Sequence, residues 1–222
     1  GVFEQSLLMK RLPQTADQAT QGKIYRSDGT TSQAQPVVIT DPDTGLQMAV
    51  TEIVVSPDDL AVEFSTPVSG SEPADVTLTI GNPTGTGDRA AQVLGFSGAV
   101  RGSISYGDPT DQDALAMFPG DFTTNSNTGS GAGPGALITA GYANINLTDD
   151  NGNPVTQFPA GMSVQITMRV PQGVPNPETG AAVAVGDTIP IFVFNESTGE
   201  WIVENEQDGS VKRATVMQDA DG

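Results

Sequence analysis

Along much of the chain, apolar and polar residues alternate one for one. In Met162-Ser-Val-Gln-Ile-Thr-Met-Arg-Val170 the apolar set Met162, Val164, Ile166, Met168 and Val170 falls on one side, with Ser163, Gln165, Thr167 and Arg169 on the other. A period of two predicts a strand with one dry face. Tyr142–Thr148 repeats the pattern, with Ala143, Ile145 and Leu147 set against Asn144, Asn146 and Thr148. The turn Asp149-Asp-Asn-Gly-Asn-Pro154 follows it, with residue types suited to left-handed backbone angles. Thr188–Phe194 and Trp201–Val203 flank Asn195-Glu-Ser-Thr-Gly-Glu200, which predicts a hairpin. Gly141 to Glu204 therefore reads as a β-meander of three or four strands. No long run keeps the 3.6-residue stripe of an amphipathic helix, although in the N-terminal cluster Phe3, Leu7, Leu8 and Leu12 fit one face of a helix as well as Phe3, Leu7 and Met9 fit one face of a strand.

Upstream, strands are expected near 23–27, 36–40, 47–55, 61–65 and 75–80. The separating turns are Ser27-Asp-Gly29, Asp41-Pro-Asp-Thr-Gly45, Ser56-Pro-Asp-Asp59 and Gly81-Asn-Pro-Thr-Gly85. Further strands are expected at 92–96, 100–106 and 211–217. The Gly/Pro/Thr-rich run at 81–88 suggests a boundary, and the Thr/Ser/Asn/Gly run at 123–135 a surface loop. The expected fold class is all-β: two β-sandwich units of Ig-like or Greek-key type, preceded by an extended N-terminal arm. The divisions are 1–22 for the arm and linker, 23–88 and 89–217 for the two units, and 218–222 for an acidic tail.

Composition agrees with strands and turns, with 26 Gly and 16 Pro in 222 residues and only 16% charged residues. The net charge is −18, and the nine Lys and Arg are scattered. With no basic patch to neutralise phosphates, nucleic acid is an unsuitable partner, and an anionic membrane would repel the chain. There is no Cys and no His. Disulfides and thiolate chemistry are excluded, and the commonest general base and transition-metal ligand are missing. The chain opens on Gly1 and holds no apolar run long enough to span a bilayer. Export to the cell surface or outside, with the signal peptide already removed, is the expectation.

Three acidic turns are candidates for calcium: Asp41 with Asp43, Asp149 with Asp150 and Asn151, and Asp219 with Asp221. Calcium gathers six to eight hard oxygens, and none of these turns supplies a full loop with a distal bidentate Glu. The bland alternative is that Asp, Asn and Gly form turns by bonding their own backbone. The carboxylate pairs Asp111/Asp113 and Glu204/Glu206 have the residue type of a glycosidase site. Among 27 acids, however, neighbouring carboxylates arise by chance, so no catalytic residues are assigned. Trp201 and Tyr142 could stack on a sugar ring, with core packing as the alternative. Asn146-Leu-Thr148 and Asn195-Glu-Ser197 fit the glycosylation pattern, and Gly107-Asp-Pro109 reads as a turn.

Four blocks in order carry a family resemblance: Ala116-Met-Phe-Pro-Gly-Asp-Phe122, Gly141–Val155, Val164–Pro171 and Asp187–Val203. Together they resemble a module of secreted bacterial surface proteins, similar in pattern to the extracellular β-sandwich of cartilage intermediate layer protein and its relatives. The resemblance spans roughly residues 95–206 and departs from the pattern in the insert 172–185. It implies an extracellular, non-catalytic structural or interaction module, with no catalytic residues to transfer.

Val2–Leu12 is the one Leu-rich cluster, and a polar linker separates it from the first expected strand. Left in water it would expose Phe3, Leu7, Leu8, Met9 and Leu12 together, the mark of an interaction segment or of an aggregation hazard. The functional expectation is a structural or adhesive building block that polymerises through this arm by donor-strand contacts, its partners being copies of itself or other surface proteins and glycans. The alternatives are a calcium-assisted carbohydrate- or protein-binding adhesin domain and an accessory module of a secreted hydrolase.

Overall fold

The computed structural model describes residues 19–40, 45, 47–68, 70, 72–84, 98–116, 118–120, 123–124, 135–136, 139–158, 162–176 and 178–218. The fold is almost wholly β. Its strands are β1 (Gln21–Arg26), β2 (Thr31–Ala34), β3 (Pro36–Thr40), β4 (Gln47–Val55), β5 (Asp59–Ser65), β6 (Val76–Gly81), β7 (Gly98–Gly107), β8 (Thr123–Thr124), β9 (Gly135–Ala136), β10 (Tyr142–Thr148), β11 (Val164–Met168), β12 (Thr188–Pro190), β13 (Phe192–Asn195), β14 (Glu200–Val203) and β15 (Arg213–Thr215). The helix α1 is a single short turn, Gln112–Ala116.

The chain divides into two compact units, each built from two stretches: Gly1–Tyr106 with Ala143–Arg169, and Gly107–Tyr142 with Val170–Gly222. This differs from the contiguous division expected near residue 88. β7, β10 and β11 lie in sequence beyond that point, yet they complete sheets begun by the first 81 residues. The meander reading of 141–204 is corrected for the same reason, since β10 and β11 belong to different sheets. Alternation identifies a strand but does not name its neighbour.

The first unit has two antiparallel sheets over one core, a sandwich. One sheet runs β11-β6-β5-β1-β2 and the other β10-β7-β4-β3. Ile24, Val62, Phe64, Val76, Leu78 and Ile80 from the first meet Ile53, Val100, Ile104 and Leu147 from the second. Two glycines let the sheets close. A methyl on Gly22 in β1 would run into Thr51 and Ile53 of β4, and one on Gly102 in β7 would strike the Phe64 ring of β5. These contacts set β1 over β4 and β5 over β7, so the four-strand sheet is used up before β11 is reached.

The second unit holds smaller sheets, β13-β14-β8-β9 and the pair β12-β15. The expected 188–194 strand is divided at Ile191, whose N–H continues the β12–β15 register by bonding Lys212 O at 3.0 Å while its O accepts the Glu204 N–H at 2.8 Å. The hairpin of β13 and β14 forms as the sequence indicates, with Asn195 opposite Glu200 and Gly199 at φ 71°. Phe118 and Trp201 are buried here, with Tyr142, Phe192 and Phe194 packed on them.

Candidate functional site

The open edges of the first unit's sheets differ sharply in what they present. β2 is four residues long and polar, Thr-Ser-Gln-Ala. β3 begins on Pro36, which has no N–H to offer. β10 is partly closed by the returning chain, since Val155 N–H donates to Leu147 O at 2.8 Å and Thr148 bridges Pro154. β11, Val-Gln-Ile-Thr-Met, has neither proline nor charge, and among the described residues only β6 pairs with it. Natural edge strands are usually blunted by such devices. β11 is the edge without them.

Its geometry follows from the ladder with β6. Val164 stands opposite Ile80, Ile166 opposite Leu78, and Met168 opposite Val76. Those β6 partners are fully buried or nearly so, so the apolar residues of β11 continue the inner face. Met168 packs on the core, but among the described residues no strand of the other sheet covers the outer two: Ile166 is 56% exposed and Val164 39%. Sequence alternation had implied a dry face here, and the overhang of β11 is the reason it is wet.

The backbone polarity of this edge can also be assigned. Gly81 N–H donates to Ser163 O at 2.8 Å, and Arg169 N–H to Asp75 O at 2.7 Å. Ser163, Gln165, Thr167 and Arg169 therefore bond toward β6, and the N–H and C=O groups of Val164, Ile166 and Met168 point outward, because the two directions alternate along an antiparallel pair. The Arg169 guanidinium pins the end of the strand to Asp75 at 2.7 Å. A second strand could add to β11 with three residues' worth of free backbone groups and an apolar shelf beside them.

The start of the described chain is fastened on the other side of this sheet. Ala19 and Thr20 are buried. The Thr20 hydroxyl accepts the Ile104 N–H at 2.7 Å, and Thr20 O accepts the Thr51 hydroxyl. The ladder between β4 and β7 ends at Thr51 and Gly102, so the Thr20 side chain serves Ile104 where β4 no longer does.

Of the sequence-derived candidates, Asp41, Asp43, Asp219, Asp221, Phe3, Leu7, Leu8, Met9 and Leu12 lie outside the described residues. The Asp149 turn lies within them. One Asp149 carboxylate oxygen accepts the N–H groups of Asn151 at 2.9 Å and Asn153 at 2.8 Å, and the other accepts Asn153 Nδ2 at 3.0 Å. These bonds, those from Asn153 foremost, hold its pKa below the ordinary carboxylate value. Asp150 Oδ1 takes Asn151 Nδ2 at 3.1 Å. Here the acids and amides fold their own turn.

Asp111 accepts the Asp113 N–H at 2.9 Å at the start of α1, and Asp108 closes the Gly107-Asp-Pro109 turn onto Thr110. Both aromatic candidates pack on Phe118. Trp201 stacks on Phe118 at 4.8 Å and donates Nε1–H to Pro119 O at 2.8 Å. Tyr142 meets Phe118 edge-on at 5.2 Å and donates to Ala114 O at 2.9 Å. In the insert 172–185, the buried Asn176 ties Asp187 by its Nδ2 at 3.1 Å, and Asp187 also accepts the Ala184 N–H at 3.0 Å. Alternation flagged β11 as a strand, but no signal in the chain marked it as an edge or Thr20 as an anchor.

No family model, curated protein or solved structure matches the chain.

Proposed function

We propose that this protein is a non-catalytic, extracellular structural building block that associates with copies of itself. The observation that carries this reading is the unblunted edge β11, with Val164 and Ile166 in water. An uncharged edge with exposed apolar side chains is a template for pairing with another chain, and proteins that do not use such an edge usually suppress it. The net charge of −18 gives each copy a repulsive field that limits unspecific collapse, so association would depend on a specific contact. Electron microscopy and light scattering of the purified full chain test this. Filaments or a regular oligomer series are expected, and a single monomeric species at every concentration would overturn it.

A further inference from the structure

We infer that the segment Val2–Leu12 of one copy adds as a strand to the outward edge of β11 in a second copy. This rests on the self-association reading and deepens it by naming both surfaces. The receiving groups are the outward N–H and C=O of Val164, Ile166 and Met168, and the shelf formed by Val164 and Ile166 takes alternate apolar side chains of the incoming strand. An eleven-residue segment with Phe3, Leu7 and Met9 at odd positions is longer than the five-residue edge it must cover. Added strands gain affinity from main-chain bonds and specificity from such alternate side chains.

Charge favours this segment over other parts of the chain. Glu4 is its only acid against Lys10 and Arg11, in a protein whose net charge is −18. It is a locally basic strand offered to an acidic body.

Reach favours a second copy over the same one. Ala19 sits at the end of β1, and the position beyond β11 lies four strand spacings away in the sheet order, roughly 19 Å. The steps from Leu12 to Ala19 stretch to about 23 Å at full extension. With the segment seated through Leu12, the chain's own edge is accessible only to a linker pulled nearly straight across the end of the sheet, whereas a neighbouring copy approaches without that tether. A contact of this kind is head-to-tail, so it propagates instead of closing.

Complementary mixing of two full-length variants tests the assignment. Phe3→Asp with Leu7→Asp disables the donor, and Ile166→Lys disables the acceptor. Ile166 is exposed and its N–H does not serve β6, so each variant should keep the wild-type circular dichroism spectrum and melting curve. In multi-angle light scattering, each variant alone is expected to lose every species above monomer, and their mixture to give a product of doubled mass that grows no further. If the Ile166→Lys protein still polymerises while the donor variant does not, the acceptor lies elsewhere: β11 is overturned and self-association stands. If wild type is monomeric, and the donor variant speeds amide exchange at Val164, Ile166 and Met168, the segment docks on its own chain, and the second-copy assignment falls together with the self-association reading. If wild type is monomeric with those amides unchanged by the donor variant, both readings fall.

Discussion

Thr20 uses its side chain to satisfy the main chain of Ile104, a residue 84 positions away in the opposite sheet, by accepting the Ile104 N–H at 2.7 Å. Thr20→Val keeps the shape and removes the acceptor. A buried N–H left unpaired costs about 1–3 kcal/mol. Urea unfolding should show that loss in the midpoint with little change of slope. An unaltered midpoint would mean that the bond contributes nothing net.

Gly102 is the tightest crossing between the two sheets, and Gly102→Ala drives a methyl into the Phe64 ring. Overpacking of a close-packed core costs about 1–3 kcal/mol. Gly29→Ala is the control, since its turn has a φ of 82° and open space around it, so only backbone strain of about 1 kcal/mol is incurred. Thermal melts should rank Gly102→Ala below Gly29→Ala. The reverse order would show that the sheets are free to part at this point.

Acid should loosen the turns before the core. Hydrogen bonds to the ionised carboxylates lower the pKa of Asp28, Asp149, Asp187 and Asp208. A group whose folded pKa lies below its unfolded value stabilises the fold above the unfolded value, about 3.9 for Asp, and that contribution is lost as pH falls through the folded pKa. Urea midpoints should therefore fall as pH is lowered past about 4. Asp149→Asn, which cannot ionise, should show a shallower decline, and an equal decline would remove Asp149 from the account.

Trp201 is the only tryptophan, and its indole reports on the second unit alone. Trp201→Ala removes the ring stacked on Phe118 and should cost about 3–5 kcal/mol. Trp201→Phe keeps an aromatic ring and drops the bond to Pro119 O, which is worth about 1 kcal/mol. Denaturant curves followed by circular dichroism compare the two. Equal losses would show that the hydrogen bond, and not the stacking, holds this cluster.

Strands were legible wherever side chains had to choose between water and core. β3, β4 and β10 fall on the residues that alternation marks. β2 was missed because Thr-Ser-Gln-Ala has no apolar member to set a period. The partners of β7 and β11 could not be read, since pairing across 43 or more residues for β7 with β4, and 84 or more for β11 with β6, leaves no local trace. β11 is the instructive case: its alternation is the cleanest in the chain, yet the face it defines is half open, because exposure depends on how many strands the facing sheet supplies. The Asp149 turn shows the same limit for chemistry, as its residue types suit both a cation and a self-bonded loop, and geometry placed its carboxylate on Asn151 and Asn153.

The nesting of one unit's residues inside the other's sequence has a consequence for synthesis. β6 carries Val76, Leu78 and Ile80, all sealed in the finished protein. Its outer neighbour β11 is not translated until residue 164, several seconds later at a rate of about 5–20 residues per second. Throughout that interval the nascent chain offers β6 as an unpaired border with an apolar face, and whatever shields it on the ribosome determines whether β11 or a stranger becomes its neighbour.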